Sequence, residues 1–265
     1  MPDTVKAPNA RPRATGTLCR RDLQARANAT LKTLGLSRGD SDSAPDGAHT
    51  MVSEFEIGLV MSRDVLPPRQ RFIIWLAAAC VHGATDRVAW LAEGAKDGNL
   101  NVQEIAEVFL QCSLYAGFAK AQAALAAAGV ANVHLEDTDR STDITQRSEQ
   151  MRQTLHGQRR NEGYSDPALE HMNELYQIAS SFGYGVIWPR PGLSLRDRLV
   201  CAVASLSCLP SASASLQKFC KTARDHGFEG SEVAEIVIQT APYGGFPASF
   251  AAMQSTIDAL GVDLT

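Results

Sequence analysis

A basic excess is missing from this 265-residue chain: 25 Lys and Arg stand against 29 Asp and Glu, for a net charge of −4 and a pI near 5.9. A nucleic-acid binder carries a positive footprint, so that class of partner is set aside. Long apolar runs are missing too. The longest, residues 72–81, falls short of the roughly 18 residues a membrane span needs and reads as a buried helix segment, so no membrane partner is expected. The N-terminus holds Arg and Pro but no apolar core of a secretory signal. None of the six cysteines, Cys19, Cys80, Cys112, Cys201, Cys208 and Cys220, stands in a C-x-x-C pair, and their apolar neighbours point to reduced, buried thiols in a cytoplasmic protein. No segment sustains period-two alternation, so strands are not expected.

What is present is an internal repeat. MSRDVLPPRQR (61–71) laid under WPRPGLSLRDR (188–198) pairs Arg63 with Arg190, Leu66 with Leu193, Arg69 with Arg196 and Arg71 with Arg198. Further on, GNLNVQEIAEVFLQCSLYAGF (98–118) matches GFEGSEVAEIVIQTAPYGGF (227–246), pairing Glu107 with Glu235, Gln111 with Gln239 and Tyr115 with Tyr243. A period of this size sets the architecture before any chemistry is considered. It divides the chain into an N-terminal tail of residues 1–17 expected to be disordered, a first repeat over 18–129, a linker over 130–146 and a second repeat over 147–265.

Helical spacing runs through both repeats. In the first it predicts helices over 20–36, 52–60, 68–84, 86–96, 102–115 and 119–128, with 37–48 a Ser/Asp/Gly/Pro linker. Thr85 is the expected cap of the fourth, and Asn101 with Glu104 forms a capping box for the fifth. In the second repeat the series is 147–156, 166–182, 196–209, 213–225, 231–243 and 247–260. The expected fold is all-α, twice over. Between the second and third helices of each repeat lies an elbow; in the second it is Trp188-Pro189-Arg190-Pro191-Gly192-Leu193, where two prolines fix φ, Gly192 permits a sharp turn and Ser194 caps the next helix.

The elbow, the following Gly227 to Ala234 stretch and TAPYGGFPASFAAM (240–253) resemble the carboxymuconolactone decarboxylase family, and MRQTLHG (151–157) is similar to its N-terminal helix. The likeness covers about residues 145–262 and, more weakly, 18–129. It implies two tandem alkylhydroperoxidase-like helical domains, assembled as a homo-oligomer: a trimer of two-domain subunits, or a dimer. It also implies a cofactor-free and metal-free lyase acting on a small molecule. The sequence departs from the family where its helical histidine would stand, at Phe219 and Trp90, and the C-x-x-C of the peroxidase branch is absent. A thiol peroxidase is therefore disfavoured.

Decarboxylation without a cofactor needs a substrate carbonyl to take the electrons and donors to hold the resulting enolate. Arg190 is the candidate carboxylate clamp, because its guanidinium fork is bidentate and always charged. His82, Tyr243 and His226 are candidate proton donors or bases. Trp188, Phe219, Trp90, Arg198, Cys220 and Tyr115 are candidate substrate-binding residues, with Tyr115 also able to donate to an enolate. An ordinary structural reading pairs Arg196 and Arg198 with Glu232 or Glu235. The function expected is a decarboxylase-like lyase, or an isomerase or cyclase, acting on a carbonyl-bearing or aromatic acid of secondary metabolism. The alternative is a non-catalytic binding or assembly protein whose pocket the aromatics have filled.

Overall fold

The structure, a computed structural model, describes residues 19–37, 45–97, 99–136, 140–162 and 170–261. The expectation for residues 1–17 lies outside the described residues, as does most of the 37–48 linker. The first half runs α1 (Arg20–Leu34), α2 (Asp46–Thr50) continuing into a π-helical stretch (Met51–Met61), α3 (Pro68–His82), α4 (Thr85–Lys96), α5 (Val102–Ala116) and α6 (Phe118–Ala127). The second runs in the same order: α7 (Ile144–His156), α8 (Glu170–Phe182) continuing into a π-helical stretch (Gly183–Ile187), α9 (Leu195–Ser207), α10 (Ser213–Asp225), α11 (Gly230–Gly244) and α12 (Phe246–Leu260). Among the described residues there is no strand, so the chain is all-α.

Local chemistry explains most of the boundaries. Asn101 Oδ1 accepts from the Glu104 N–H at 2.9 Å while Glu104 Oε2 accepts from the Asn101 N–H at 2.8 Å, completing the capping box at α5. Ser194 Oγ accepts from the Asp197 N–H at 3.1 Å, as a cap of α9 should. Thr85 does not cap α4: Ala84 holds the capping position and Thr85 is the first helical residue. The inter-repeat linker is shorter than expected, because Asp143 Oδ1 accepts from the N–H groups of Thr145 and Gln146 and starts α7 at Ile144.

The two π segments have one cause in common. At Gly58 an added Cβ would lie 2.6 Å from the Leu23 carbonyl oxygen, and at Gly185 it would collide with that of Ile144. Glycine at these positions lets α1 and α7 each press their backbone onto the widened turn of the helix that follows.

α3 and α9 sit back to back at the centre. Residues 72–80 of α3 and 199–204 of α9 are fully buried, and their alanines, among them Ala77, Ala79, Ala202 and Ala204, let α3, α5, α9 and α11 approach closely. One continuous core includes residues of both halves. Cys112 Sγ lies 3.4 Å from Cys201 Sγ in that seam. Five of the six thiols are buried, and Cys19 is exposed.

Candidate functional site

The elbow arginines are engaged across the seam. Arg190 donates to Glu107 through Nη2 at 2.9 Å and Nε at 3.0 Å, and to the Glu136 carbonyl. Arg63, its repeat mate, does the same to Glu235 at 2.6 and 2.8 Å. Arg198 is fully buried and donates to Glu107 Oε2, Gln111 Oε1 and the Arg190 carbonyl. Arg196 pairs with Glu232 as the ordinary reading expects, whereas Arg198 takes Glu107 of the other half and not Glu235. Both guanidinium groups expected at a substrate, the Arg190 clamp and Arg198, are thus engaged by Glu107 in this structure. The hollow beside them, about 390 Å³, is walled by residues including Glu107, Glu136, His134 and Gly192, and Glu107 there already holds both guanidinium groups.

A larger cavity opens on the other side of Trp188. Its volume is about 660 Å³, and its wall is apolar, built from Leu114, Tyr115, Phe182, Tyr184, Trp188 and Phe219 with a few serines. Among the described residues, no Lys, Arg, Asp or Glu lines it. Trp188 is buried in a stack, 6.2 Å from the Tyr184 ring on one side and 5.7 Å from Phe219 on the other, with Tyr115 set edge-on to Phe219 at 6.4 Å. The π segment that ends in Ile187 is what turns Tyr184 and Trp188, one turn apart, toward the same wall.

Two polar groups lie buried behind this apolar surface. The Tyr115 hydroxyl and the Gln111 amide nitrogen one turn below it make no hydrogen bond of ordinary geometry, although Gln111 still interacts with the phenol. Burial holds the Tyr115 phenol well above its usual pKa, so it stays a donor. Tyr184 meets His156, the last residue of α7: its hydroxyl lies 3.1 Å from Nε2, while Nδ1 lies 2.7 Å from Thr222 Oγ1. Burial, reinforced by Lys218, Arg159 and Arg152, pushes the His156 imidazole down to about 3.

The corresponding place in the first half is occupied differently. Tyr243 donates to Glu56 Oε1 at 3.1 Å, Glu56 is paired with Arg87, and the Arg87 guanidinium lies over the Trp90 ring at 4.0 Å. Trp90 Nε1 donates to the Ser37 carbonyl. Tyr243 and Trp90 thus belong to a closed ionic network and not to the large cavity, a correction to their expected roles. His82 stands largely exposed at the α3 C-terminus, its pKa lowered by partial burial and by Lys120.

Cys220 and His226 also fall outside the cavity wall. Cys220 packs behind Phe219 against Thr256 at 3.6 Å, and burial pushes its thiol up to about 11. His226 Nε2 donates to the Leu155 carbonyl at 3.1 Å and ties α10 to α7. Of the ten expected residues, the structure gathers Trp188, Phe219 and Tyr115 around one cavity. It adds Tyr184 to that wall, with His156 behind it, and sequence reasoning passed over both. Their signal was a tyrosine between two glycines and a histidine at a helix end, neither of which names the other as partner. Among the described residues, no three His, Cys, Asp or Glu side chains converge as a metal site.

Comparison with known proteins places the chain among relatives. The sequence profile of the carboxymuconolactone decarboxylase family matches residues 49–129 and 173–258, one segment in each half. The 4-carboxymuconolactone decarboxylase of Acinetobacter baylyi is 30% identical over 96 residues, which is 35% of this chain and 71% of that protein. A crystal structure from Burkholderia xenovorans, described as a gamma-carboxymuconolactone decarboxylase subunit, aligns over 86% of this chain and 94% of its own at 20% identity, with a TM-score of 0.48.

Proposed function

The chain belongs to the carboxymuconolactone decarboxylase family, and from that premise we propose a cofactor-free lyase of the decarboxylase type, or an isomerase or cyclase, working in the cavity that the second half forms with the end of α5. Its substrate is a small carbonyl-bearing or aromatic acid, of the kind made in secondary metabolism. One observation carries the reading: an open, mostly apolar cavity of about 660 Å³ is lined by Tyr115, Tyr184, Trp188 and Phe219, while Tyr243, the mate of Tyr115, is engaged by Glu56. A phenol of that wall turned toward the ligand would hold a substrate carbonyl and stabilise the oxyanion that forms when the carbonyl takes up electrons. With no cation among the described residues of the wall, the substrate's carboxylate is the group least suited to the site, and leaving as neutral CO₂ relieves its desolvation.

The test is ligand-observed NMR with small aromatic and alicyclic carbonyl compounds, followed by mass spectrometry for loss of CO₂ or for an isomeric product. Tyr115→Phe is expected to weaken carbonyl ligands about tenfold, the worth of one hydrogen bond, and to leave hydrocarbon analogues of the same shape unaffected. Equal losses for both kinds of ligand, or none for either, would defeat the carbonyl reading.

The proposal includes a cytoplasmic homo-oligomer, a trimer of two-domain subunits or a dimer. No single helix among the described residues is long and apolar enough to cross a membrane. Yet Met172, Leu175, Ile178 and Phe182 are exposed along one stripe of α8, beside an equally exposed Phe118. An apolar face of this kind supports association. Light scattering that found only monomers at micromolar concentration would remove this part.

A further inference from the structure

Resting on the reading of this cavity as the substrate site, we propose that Gly183 is its specificity-determining residue. The side chain missing there opens the site to a ligand of two or more fused rings, uncharged where it lies against Gly183. The contacts of the two widened turns fix which residue of the first half corresponds to it. Gly58 lies under the Leu23 carbonyl as Gly185 lies under that of Ile144. Phe55 meets Phe246 at 5.2 Å as Phe182 meets Phe118 at 6.0 Å. The same register sets Glu56 at the place of Gly183.

In the first half that place is filled. Glu56 is buried, is paired with Arg87 and accepts from the Tyr243 hydroxyl at 3.1 Å, so a carboxylate and a guanidinium stand beside the tyrosine. In the second half it is open. A Cβ added at Gly183 would lie 3.7 Å from both Leu114 Cδ atoms and, its own stretch of helix aside, within 4 Å of nothing else among the described residues. Gly183 and Leu114 both line the large cavity, so a side chain at 183 would take up its space. The backbone does not require glycine either, since Gly183 is not among the glycines at positive φ. Gly185, two residues on, is the contrast: there the close approach of α7 excludes a side chain, whereas at 183 it is the cavity that gains from the absence.

The wall sets the chemistry of the occupant. About 660 Å³ falls within the range of roughly 300–1,000 Å³ that encloses drug-sized ligands, more room than a single-ring acid fills. Phe118, Ile178 and Phe182 line the cavity and are also exposed, so its apolar wall continues to the surface and an extended ring system keeps apolar contact along its length. In the first half the Glu56 charge is balanced by Arg87. Among the described residues of the second-half wall there is no cation, so a carboxylate pressed against Gly183 would lose its water without gaining a partner. The end of the ligand that reaches Gly183 is therefore uncharged.

The test is calorimetric titration of the full-length protein with two ketones, the bicyclic 2-tetralone and the single-ring cyclohexanone, and with 2-naphthamide against the equally shaped but charged 2-naphthoate. The unaltered protein is expected to bind 2-tetralone at least about tenfold tighter than cyclohexanone, and 2-naphthamide at least about tenfold tighter than 2-naphthoate. Gly183→Leu should weaken 2-tetralone about tenfold or more and cyclohexanone less than about threefold. Gly183→Ala, whose methyl group meets Leu114 at an ordinary distance, should keep the melting temperature and weaken 2-tetralone by an intermediate factor. Adding Leu114→Ala to Gly183→Leu returns the lost room and should bring 2-tetralone back to within about threefold of its original affinity, a recovery that a merely damaged fold would not show. Unchanged 2-tetralone binding in both Gly183 variants, equal losses for the two ketones, or no recovery in the double variant would each overturn the role of Gly183 and leave the cavity standing as the substrate site. Equal affinity for 2-naphthoate and 2-naphthamide would overturn the selection against charge. Failure of all four probes to bind would overturn the substrate site and this inference together.

Discussion

His156 shows what one buried side chain can impose on the whole protein. Its ring is 2% exposed and faces Lys218, Arg159 and Arg152, with His226 more remote, all of which oppose a further positive charge. In the unfolded chain it titrates near 6.5, and in the folded chain at about 3. Between those values the unfolded state binds the extra proton, so stability is complete above about pH 6.5 and declines as the pH falls, by roughly 1.4 kcal/mol per unit at the steepest. Urea unfolding at pH 7, 6, 5 and 4 should show that slope, and His156→Gln should remove most of it. Carboxylates held low by arginines, such as Glu104 beside Arg69, lose their contribution only further down, below about pH 4.5, so the two effects separate by window. A slope unchanged in the variant would mean that His156 is charged in the fold. Sequence reading set Arg63 beside Arg190 and Arg71 beside Arg198 and expected acidic partners, but could not see that Arg63, Arg190 and Arg198 reach Glu235 and Glu107 of the opposite half while Arg71 holds the Met61 and Arg63 carbonyls. It passed over His156 for the same reason, since Thr222 and Tyr184 stand on other elements.

At the scale of elements, the widened turns explain how two halves of similar sequence build different sites. Both π segments are enforced by a helix pressed onto glycine, but the second turn presents Tyr184 and Trp188 where the first presents Ile57 and Met61. Gly185→Ala should therefore cost about 1–3 kcal/mol by driving a methyl group into the Ile144 carbonyl, and should also weaken cavity ligands as α7 shifts and carries His156 with it. Gly244→Ala is the matched control. A Cβ there would sit 3.7 Å from the Ala248 Cβ and 3.9 Å from Cys208, ordinary contact distances, so the change should be neutral or stabilising by up to about 1 kcal/mol. Thermal unfolding of both variants with and without 2-tetralone decides this, and equal behaviour of the two would show that α7 is not braced at Gly185. The helices were legible in sequence because apolar spacing and caps such as Asn101 and Ser194 act locally. The π turns were not, because over so short a stretch a period of 4.4 residues cannot be told from 3.6.

At the scale of the whole molecule, the reciprocity of the elbow contacts makes each half the complement of the other. Arg63 of the first half grips Glu235 of the second, and Arg190 and Arg198 of the second grip Glu107 of the first. Trp75 Nε1 donates to Gln239 Oε1 at 2.9 Å, and Arg198 donates to Gln111, the repeat mate of Gln239. Exchange of this kind is how an isologous two-fold contact behaves, with each surface carrying both members of every pair. The segment 140–261 alone holds Arg190, Arg198, Glu235 and Gln239, and so contains a complete set of self-complementary partners. As a monomer it would expose the apolar faces of α9 and α11 and leave the buried Glu235 carboxylate without Arg63. The expected behaviour is folding only as a homodimer, with Arg190 of one copy on Glu235 of the other. Its melting temperature should rise with concentration, as linkage to association demands, and Glu235→Gln should lower it at every concentration. Circular dichroism melts over a hundredfold concentration range, with light scattering at each end, measure this directly. A cooperative transition at one fixed temperature from a monomeric fragment would mean that the half carries its own core and that the cross-seam pairs are dispensable for folding.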